Sequence, residues 1–350
     1  RFHNFKSRAP CQKKGAVMTL RPAPHIHRHA SSPYIYLHVL VALIPPCVAA
    51  VFFYGVRAIV LILWSALLFL VSDRIISVLL YKDIHYYDIS SLISGIMIAL
   101  MLPANISMLH LFVGVAFASI FVKQVFGGAG TNLFNPALIG RAFIEVIYRV
   151  RDYDVVLPGK ERWVIQTLFA GSSSDSSAYA ADALSDFTEW FMGAVPGFMG
   201  ASAVVLIIFG GIYLLLNGVI RPHEPLAVLV TFILTFVVFS GYRTESVGLI
   251  QAIAESGVVF VAVFAVNDYA TSPIDSRFRV VAAFLTGFLS AVIYLLGQPV
   301  FALLLPVLLM NFLTPIADFY TRPRLFAQDI DNRNPKVSKL VETHAEEVEP

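Results

Sequence analysis

Long apolar runs separated by short polar stretches make up most of this chain. A helix needs about 20 apolar residues to cross a bilayer. The third and eighth runs fall short of that length, and Pro136 interrupts the fifth. The pattern predicts an all-α polytopic membrane protein of about ten transmembrane helices, in the segments Tyr34–Gly55, Ala58–Leu80, Ile89–Leu102, Ser107–Val122, Leu133–Ile147, Phe198–Leu216, Pro225–Gly241, Leu249–Val266, Val280–Leu296 and Pro299–Ile316.

The two short runs share a sequence pattern. Ser94-Gly95 is followed by an apolar run and then Asn105, and Ser256-Gly257 is followed by a run of equal length and then Asn267. Short or broken helices at matching places in two halves indicate a site within the membrane. Chance resemblance between two apolar stretches is the alternative.

Positive charge is concentrated before the first apolar run. Residues 1–33 contain seven Lys or Arg residues and no acidic residue, and such an excess is typical of cytoplasmic segments. The N-terminus is therefore predicted to be cytoplasmic, and ten crossings bring the C-terminus to the same side. Five segments before and five after the long loop must then run in opposite orientations, as two inverted repeats with short broken helices.

These predictions divide the chain into five regions. They are a cytoplasmic basic N-terminal segment (1–33), a first membrane repeat (34–147), an extracytoplasmic loop (148–197), a second membrane repeat (198–320) and a cytoplasmic polar tail (321–350). The loop holds four Lys or Arg and seven Asp or Glu residues, which suits the outer side. Met18 is a candidate start, which would make the preceding residues an upstream extension.

Composition supports the membrane assignment. The chain is 57% hydrophobic and 14% charged, whereas soluble domains contain about 25% charged residues. Its two cysteines, Cys11 and Cys47, do not form a disulfide framework or a metal-binding motif. No metal site and no nucleic-acid partner are predicted.

A loop rich in glycine and asparagine is the first candidate binding site. It contains Gly128, Gly130, Asn132 and Asn135. Glycines let the backbone approach a ligand closely, and asparagine side chains both donate and accept hydrogen bonds. A helix that starts at Pro136 would point its first amides at the loop, where they suit an anion. The alternative is a tight interhelical turn in which the glycines serve packing.

Two cations flank this loop. Lys123 precedes it and Arg141 follows it, so both are candidates to pair with a phosphate or an acidic ring system. Neither has a predicted catalytic role.

A second candidate site follows the second short run. Asn267, Asp268 and Thr271 belong to the sequence Asn-Asp-Tyr-Ala-Thr-Ser-Pro. Helix capping is the alternative role for Asp268 and Thr271. Glu255 is a further candidate, because an ionisable residue within a membrane segment is a functional hypothesis by default.

Several motifs together resemble one family. They are SGIMIALMLP, FGGAGTNLFNPALIGRAF, GAVPGFMGASA, NDYATSP and NFLTPIADFY, in this order. They are similar to the RnfD/NqrB family, the paralogous membrane subunits of the Rnf complex and of the sodium-pumping NADH:quinone oxidoreductase. The resemblance covers about Ala23 to Tyr320, and the short N-terminal lead is more similar to RnfD.

The resemblance implies a flavoprotein that relays electrons within a multi-subunit pump for Na+ or H+ in the bacterial inner membrane. It implies a non-covalent flavin, FMN or riboflavin, among the helices, held here by the two candidate sites with Lys123 and Arg141. It also implies an FMN joined to a threonine of the outer loop, in a motif like Asp-x-x-Ser-x-Ala-Thr, by a separate flavin transferase. The partners implied are the other Rnf-type subunits.

The chain departs from the family at the covalent site. Tyr179 occupies the place of the acceptor threonine, and Ser173 occupies the place of the aspartate. The hydroxyl of a tyrosine lies farther from the backbone than that of a threonine, so an FMN attached there would not occupy the usual position. A second partial match ends at Thr188, which is the candidate acceptor, but Phe187 replaces the alanine. The covalent FMN is therefore a weaker expectation than the non-covalent flavin.

The primary hypothesis is a flavin-binding subunit of a redox-driven pump in an Rnf-type ferredoxin:NAD+ oxidoreductase. An NqrB-like subunit of a quinone-reducing pump is one alternative. A channel or transporter for a small solute would use the same inverted-repeat plan and is another. A scaffold subunit that binds neither flavin nor solute is the third.

Overall fold

A computed structural model of the chain describes residues 32–79, 89–128, 130–148, 198–201, 203–242 and 248–321. Every regular element within these ranges is helical. The helices are α1 (Ser32–Ala42), α2 (Ile44–Tyr54), α3 (Val56–Leu79), α4 (Ile89–Leu100), α5 (Met108–Phe117), α6 (Pro136–Tyr148), α7 (Val204–Leu216), α8 (His223–Phe239), α9 (Leu249–Glu255), α10 (Val258–Phe260), α11 (Ser276–Leu295) and α12 (Pro299–Thr321).

The helices fit a polytopic membrane protein. Four helical stretches are long and apolar enough to cross a bilayer: Ser32–Tyr54, Val56–Leu79, Ser276–Leu295 and Pro299–Tyr320. Other apolar helices are shorter, among them α4, α7 and α8. The all-α prediction is confirmed for the described part of the chain, while the count of ten and the opposite orientation of the halves stay predictions.

Two of the segments continue as π-helices. The π-helix Ala118–Gln124 extends α5, and the π-helix Val261–Ala265 extends α10. A π-turn adds a residue to the helical turn and is frequent at functional sites. Both π-helices end next to one of the two loops that the sequence singled out.

The short helix α4 ends inside the protein, not in lipid. The carbonyl of Leu100 accepts hydrogen bonds from the amides of Gly200 and Ala201, and that of Leu102 accepts one from Met199. The Met101 carbonyl accepts one from the Arg141 guanidinium at 2.9 Å. Backbone at membrane depth must be satisfied within the protein, and the segment that precedes α7 does this for α4.

The repeated Ser-Gly pair has different roles in the two halves. Gly95 lies inside the unbroken helix α4, where a Cβ would lie 2.7 Å from the Cα of Ala66. Gly257 has a φ of +60° and separates α9 from α10. The prediction of a break holds for the second run, whereas the first run needs glycine because α3 packs closely against it.

Close helix contacts through glycine recur in the second half, where α11 packs between α8 and α12. A Cβ on Gly287 of α11 would lie 2.3 Å from the Val228 carbonyl oxygen of α8. Small residues let membrane helices approach in this way. Large apolar side chains point outward instead, as suits a lipid-facing surface; they include Leu63, Phe209, Leu234 and Phe312.

The substitution Gly287→Ala tests this packing. It should force α8 and α11 apart at a cost of about 1–3 kcal/mol, the usual range for overpacking. Gly241→Ala is the matched control, because a Cβ there has no neighbour within 4 Å. The measurement is the melting temperature of each detergent-purified variant. Equal melting temperatures for the two variants would contradict the close α8–α11 contact.

Candidate functional site

The glycine-rich loop folds back on the end of the first π-helix. The amide of Gly127 donates to the Gln124 carbonyl, and that of Gly128 donates to the Lys123 carbonyl. Gly127, Gly128 and Gly130 have φ values of 121°, 102° and 86°, which other residues rarely adopt. A Cβ on Gly128 or Gly130 would meet no atom within 4 Å. Packing therefore does not explain these two glycines, and the space beside them is open.

Asn135 starts helix α6. Its Oδ1 accepts hydrogen bonds from the amides of Ala137 at 3.0 Å and Leu138 at 3.4 Å. This is N-capping, and it occupies backbone donors that the sequence pattern had assigned to an anion. The Nδ2 of Asn135 donates to Asp268 Oδ2 at 3.1 Å. Both polar atoms of the Asn135 side chain are therefore hydrogen-bonded within the protein.

Asp268 joins the two predicted sites. Besides the bond from Asn135, its Oδ2 accepts one from the Thr271 hydroxyl at 3.2 Å, and its Oδ1 accepts one from the Ala270 amide at 3.4 Å. Asp268 thus closes a turn and does not cap α11, which is capped by Asp275. The contact with Asn135 brings together motifs separated by 133 positions in the sequence.

Two buried amide oxygens near this junction have no hydrogen-bond partner among the described residues. They are Oδ1 of Asn132 and Oδ1 of Asn267. The Nδ2 of Asn267 donates to the Ala262 carbonyl at 2.6 Å and so closes the second π-helix. Unpaired polar atoms in a protein interior are uncommon and point to a bound water, a ligand or a function. Asn132 is 8% exposed and belongs to the open glycine loop.

Lys123 is completely buried in an ion pair. Its Nζ lies 3.2 Å from Asp73 Oδ2 and donates to the Ser91 hydroxyl. Ser91 donates to Asp73 at 2.5 Å, and Gln124 also donates to Asp73. The network connects α3, α4 and the first π-helix. Breaking such a buried pair costs about 3–5 kcal/mol, so Lys123 holds the start of the glycine loop.

Arg141 has protein partners as well. It is 1% exposed, and its Nη1 lies 2.7 Å from Glu145 Oε2 one turn later in α6. Its Nε donates to the Met101 carbonyl. The prediction that Lys123 and Arg141 bind a cofactor anion stays a prediction, but the structure gives each cation a carboxylate partner and a structural contact.

The sequence that builds this arrangement matches the profile of one family. Residues 19–327 match the NQR2, RnfD, RnfE family. The chain belongs to this family. The match covers both halves of the membrane region, including the Asn135–Asp268 junction.

Several curated relatives of the NQR2, RnfD, RnfE family resemble the chain over most of its length. The D-type subunit of the Na(+)-translocating ferredoxin:NAD(+) oxidoreductase complex of Acetobacterium woodii is 29% identical over 88% of this chain and 95% of its own length. Its counterpart in the proton-translocating ferredoxin:NAD(+) oxidoreductase complex of Clostridium ljungdahlii is 26% identical over 91% and 98%. Its counterpart in an ion-translocating oxidoreductase complex of Escherichia coli is 26% identical over 89% and 98%.

Glu255, another predicted residue of this family member, is hydrogen-bonded by neighbours other than the junction residues. Both carboxylate oxygens of Glu255 accept hydrogen bonds, from Gln251 at 2.8 Å and from Tyr294 at 2.7 Å. Thr188 and Tyr179, with the loop that contains them, lie outside the described residues. Sequence reasoning missed the role of Asp73, although an acid within an apolar run was an available signal.

Exchanging the amide of Asn135 and the carboxylate of Asp268 tests the junction. Asn135→Asp keeps the helix cap, because aspartate also caps, but it places a second carboxylate against Asp268 and should destabilise the protein. Asp268→Asn in the same chain should restore a hydrogen bond with reversed roles. We expect a coupling energy of about 0.5–3 kcal/mol between the two sites, measured from unfolding of all four forms in detergent. Strictly additive effects would show that the two side chains do not interact.

Proposed function

We propose that this chain is the flavin-binding D-type membrane subunit of an ion-translocating ferredoxin:NAD+ oxidoreductase complex, in which it relays electrons. The observation that carries the proposal is the match over nearly the whole chain to subunits of such complexes. Other Rnf-type subunits would be its partners, the bacterial inner membrane its location, and Na+ or H+ the ion. Both termini would lie in the cytoplasm.

The open side of the glycine loop supports the proposal of a flavin site. Gly128 and Gly130 leave space beside the backbone, and the buried Oδ1 of Asn132 lacks a partner among the described residues. An amide oxygen without a donor suits an imide N–H or a ribityl hydroxyl. Asn267 offers a second such oxygen from the other half. A bound flavin supplies one- and two-electron chemistry that amino-acid side chains lack.

The remaining predicted residues hold the two loops and the neighbouring helix ends in place. Asn135 and Asp268 fix the two loops to each other, and Thr271 orients the carboxylate. Lys123 anchors the loop by its ion pair with Asp73 of α3. Arg141 donates a hydrogen bond to the Met101 carbonyl, which directly follows α4. Carboxylate partners offset the charge of both cations.

The direct contacts with a flavin therefore fall to other residues. We assign them to Asn132 and Asn267, whose amide oxygens are buried and unpaired within the described ranges. Gly128 and Gly130 would lie beside them and leave room for the ligand.

The alternatives differ in what the purified complex would do. A quinone-reducing relative would reduce quinone with NADH, and the proposed function predicts ferredoxin-dependent NAD+ reduction. A solute channel would show flux through the isolated subunit in liposomes without flavin. The relatives from Acetobacterium woodii and Clostridium ljungdahlii support the ferredoxin-linked function.

The substitution Asn132→Leu tests the non-covalent site. Loss of one hydrogen-bonding group at a buried site costs about 1–3 kcal/mol, which corresponds to a roughly 5- to 150-fold loss of affinity. We expect the purified complex to retain less extractable flavin, measured by fluorescence after acid release. Asn217→Leu is the matched control, because Asn217 is an exposed asparagine at the end of α7. Equal flavin content in both variants would contradict the assignment of Asn132.

Intact mass spectrometry tests the covalent site separately. If Thr188 is the acceptor, co-expression with the flavin transferase adds the mass of an FMN phosphoryl ester to the chain. This mass should disappear in Thr188→Ala and persist in Tyr179→Phe, because the phenol of Tyr179 stands on a longer arm than the usual threonine hydroxyl. An unmodified wild-type mass would remove the covalent FMN from the proposal and leave the site around Asn132.

A further inference from the structure

A pocket lies between α11, α12 and the loop that precedes α11. Its cavity volume is about 20 Å³, enough for one water molecule or one ion of similar size. Polar side chains from all three elements line it together with apolar ones; the polar set includes Thr271, Arg279, Thr286, Asn311 and Thr314. The proposed flavin contacts include none of these residues, although Thr271, Asn311 and Thr314 belong to two of the sequence motifs.

Asn311 is the unusual residue of the pocket. It lies within α12, is 4% exposed, and its Nδ2 has no hydrogen-bond partner among the described residues. Pro315 lies four residues later in the same helix and has no N–H. The Asn311 carbonyl oxygen therefore also lacks its regular helical donor. A half-turn of the amide exchanges Nδ2 for Oδ1 in the same space, so Asn311 can offer two oxygens.

The three threonine hydroxyls are available only as acceptors. Thr286 and Thr314 donate their protons to carbonyl oxygens one turn earlier, at 2.8 and 2.9 Å. Thr271 donates its proton to Asp268. A hydroxyl has one proton and two lone pairs, so each oxygen keeps lone pairs for a ligand. Oxygen atoms without protons to spare are suited to a cation.

Among the described residues around the pocket, one buried carboxyl group has no cationic partner. Arg279 at the mouth lies 3.6 Å from Glu224, which is buried, and its Nε donates to the Pro273 carbonyl. His223 also approaches Glu224, at 3.7 Å, and is exposed. Asp268 has neutral hydrogen-bond partners and no ion pair within the described ranges. A desolvated carboxylate of this kind favours a nearby cation.

We propose that this pocket binds a desolvated monovalent cation of the size of Na+. The ligands would be the hydroxyl oxygens of Thr271, Thr286 and Thr314 and the oxygens of Asn311. Transporter helices interrupted at membrane depth coordinate Na+ with backbone carbonyls. Among the described residues, no carboxylate lines the pocket directly, whereas sites for divalent cations use several, so a monovalent cation is the better match.

One carboxylate oxygen connects this pocket to the proposed flavin site. Asp268 Oδ2 accepts hydrogen bonds from Thr271 of the pocket and from Asn135 of the glycine loop. Negative charge added on the loop side would raise the affinity of the pocket for a cation. By thermodynamic reciprocity, the bound cation would raise the flavin potential. This coupling rests on the proposed function, whereas the cation site itself does not.

The cation site is tested by equilibrium binding of radioactive Na+ to the purified complex, in a buffer that holds ionic strength constant with choline chloride. Asn311→Leu and Thr314→Val should each weaken binding by at least about tenfold, as expected on loss of a metal-site contact. Asn311→Asp should tighten it. Thr231→Val is the matched control, because Thr231 makes the same hydrogen bond to the preceding turn at 2.7 Å but does not line the pocket.

The outcomes separate the two proposals. Equal Na+ affinity in wild type, Asn311→Leu and Thr314→Val would overturn the site, as would wild-type protein that does not bind Na+, since either means that the pocket holds structural water only. A complex without flavin would overturn the proposed function while the binding experiment still reports on the pocket. Where flavin is present, its midpoint potential should rise with Na+ in wild type and in Thr231→Val, and less in Thr314→Val.

Discussion

The need to hydrogen-bond every backbone group at membrane depth shapes the rest of this structure. Helix α4 is 12 residues long and ends among buried residues. Its last carbonyls would be unsatisfied in lipid, at a cost of several kcal/mol each. Backbone amides from the segment that precedes α7 and the Arg141 guanidinium satisfy them. The two halves are therefore tied together where the first one is interrupted, and that tie places α6 and the glycine loop.

The same constraint explains other polar residues of the interior. Pro306 removes the amide that would bond the Ala302 carbonyl, and the Ser290 hydroxyl takes its place at 2.9 Å. Asn267 does likewise for the end of the second π-helix. After the second proline of α12, the described residues show no such side-chain substitute for the Asn311 carbonyl, and Asn311 itself lines a pocket. Where a side chain hydrogen-bonds the carbonyl oxygen at a helix break, the break has a structural role. Where the carbonyl oxygen has no such partner, a ligand would complete its coordination.

Sequence patterns located the candidate segments but not the partners of their residues. Apolar runs and the Gly, Asn and Pro positions predicted the short helices and both loops, because these features act locally on the backbone. The Lys123–Asp73 pair spans 50 positions and the Asn135–Asp268 contact spans 133. Such contacts depend on how helices pack, which no local pattern encodes. For that reason Lys123 looked like a free cation in the sequence although it has a buried carboxylate partner. The partner of Arg141 is different, because Glu145 lies four residues later in the same helix and its spacing was a readable local signal.

Asp268 shows why a pump would place its polar residues at a junction of two loops. A charge that interacts with two sites at once couples them without any large movement, and in a low-dielectric interior the interaction extends further than in water. The Asn135 hydrogen bond holds the carboxylate toward the glycine loop, and the Thr271 hydroxyl, which also lines the pocket, donates to the same oxygen. An electron that arrives on one side would therefore change the cation affinity on the other through one shared oxygen. Loss of the bond between Asn135 and Asp268 would weaken this coupling and leave the Thr271 hydroxyl in the pocket.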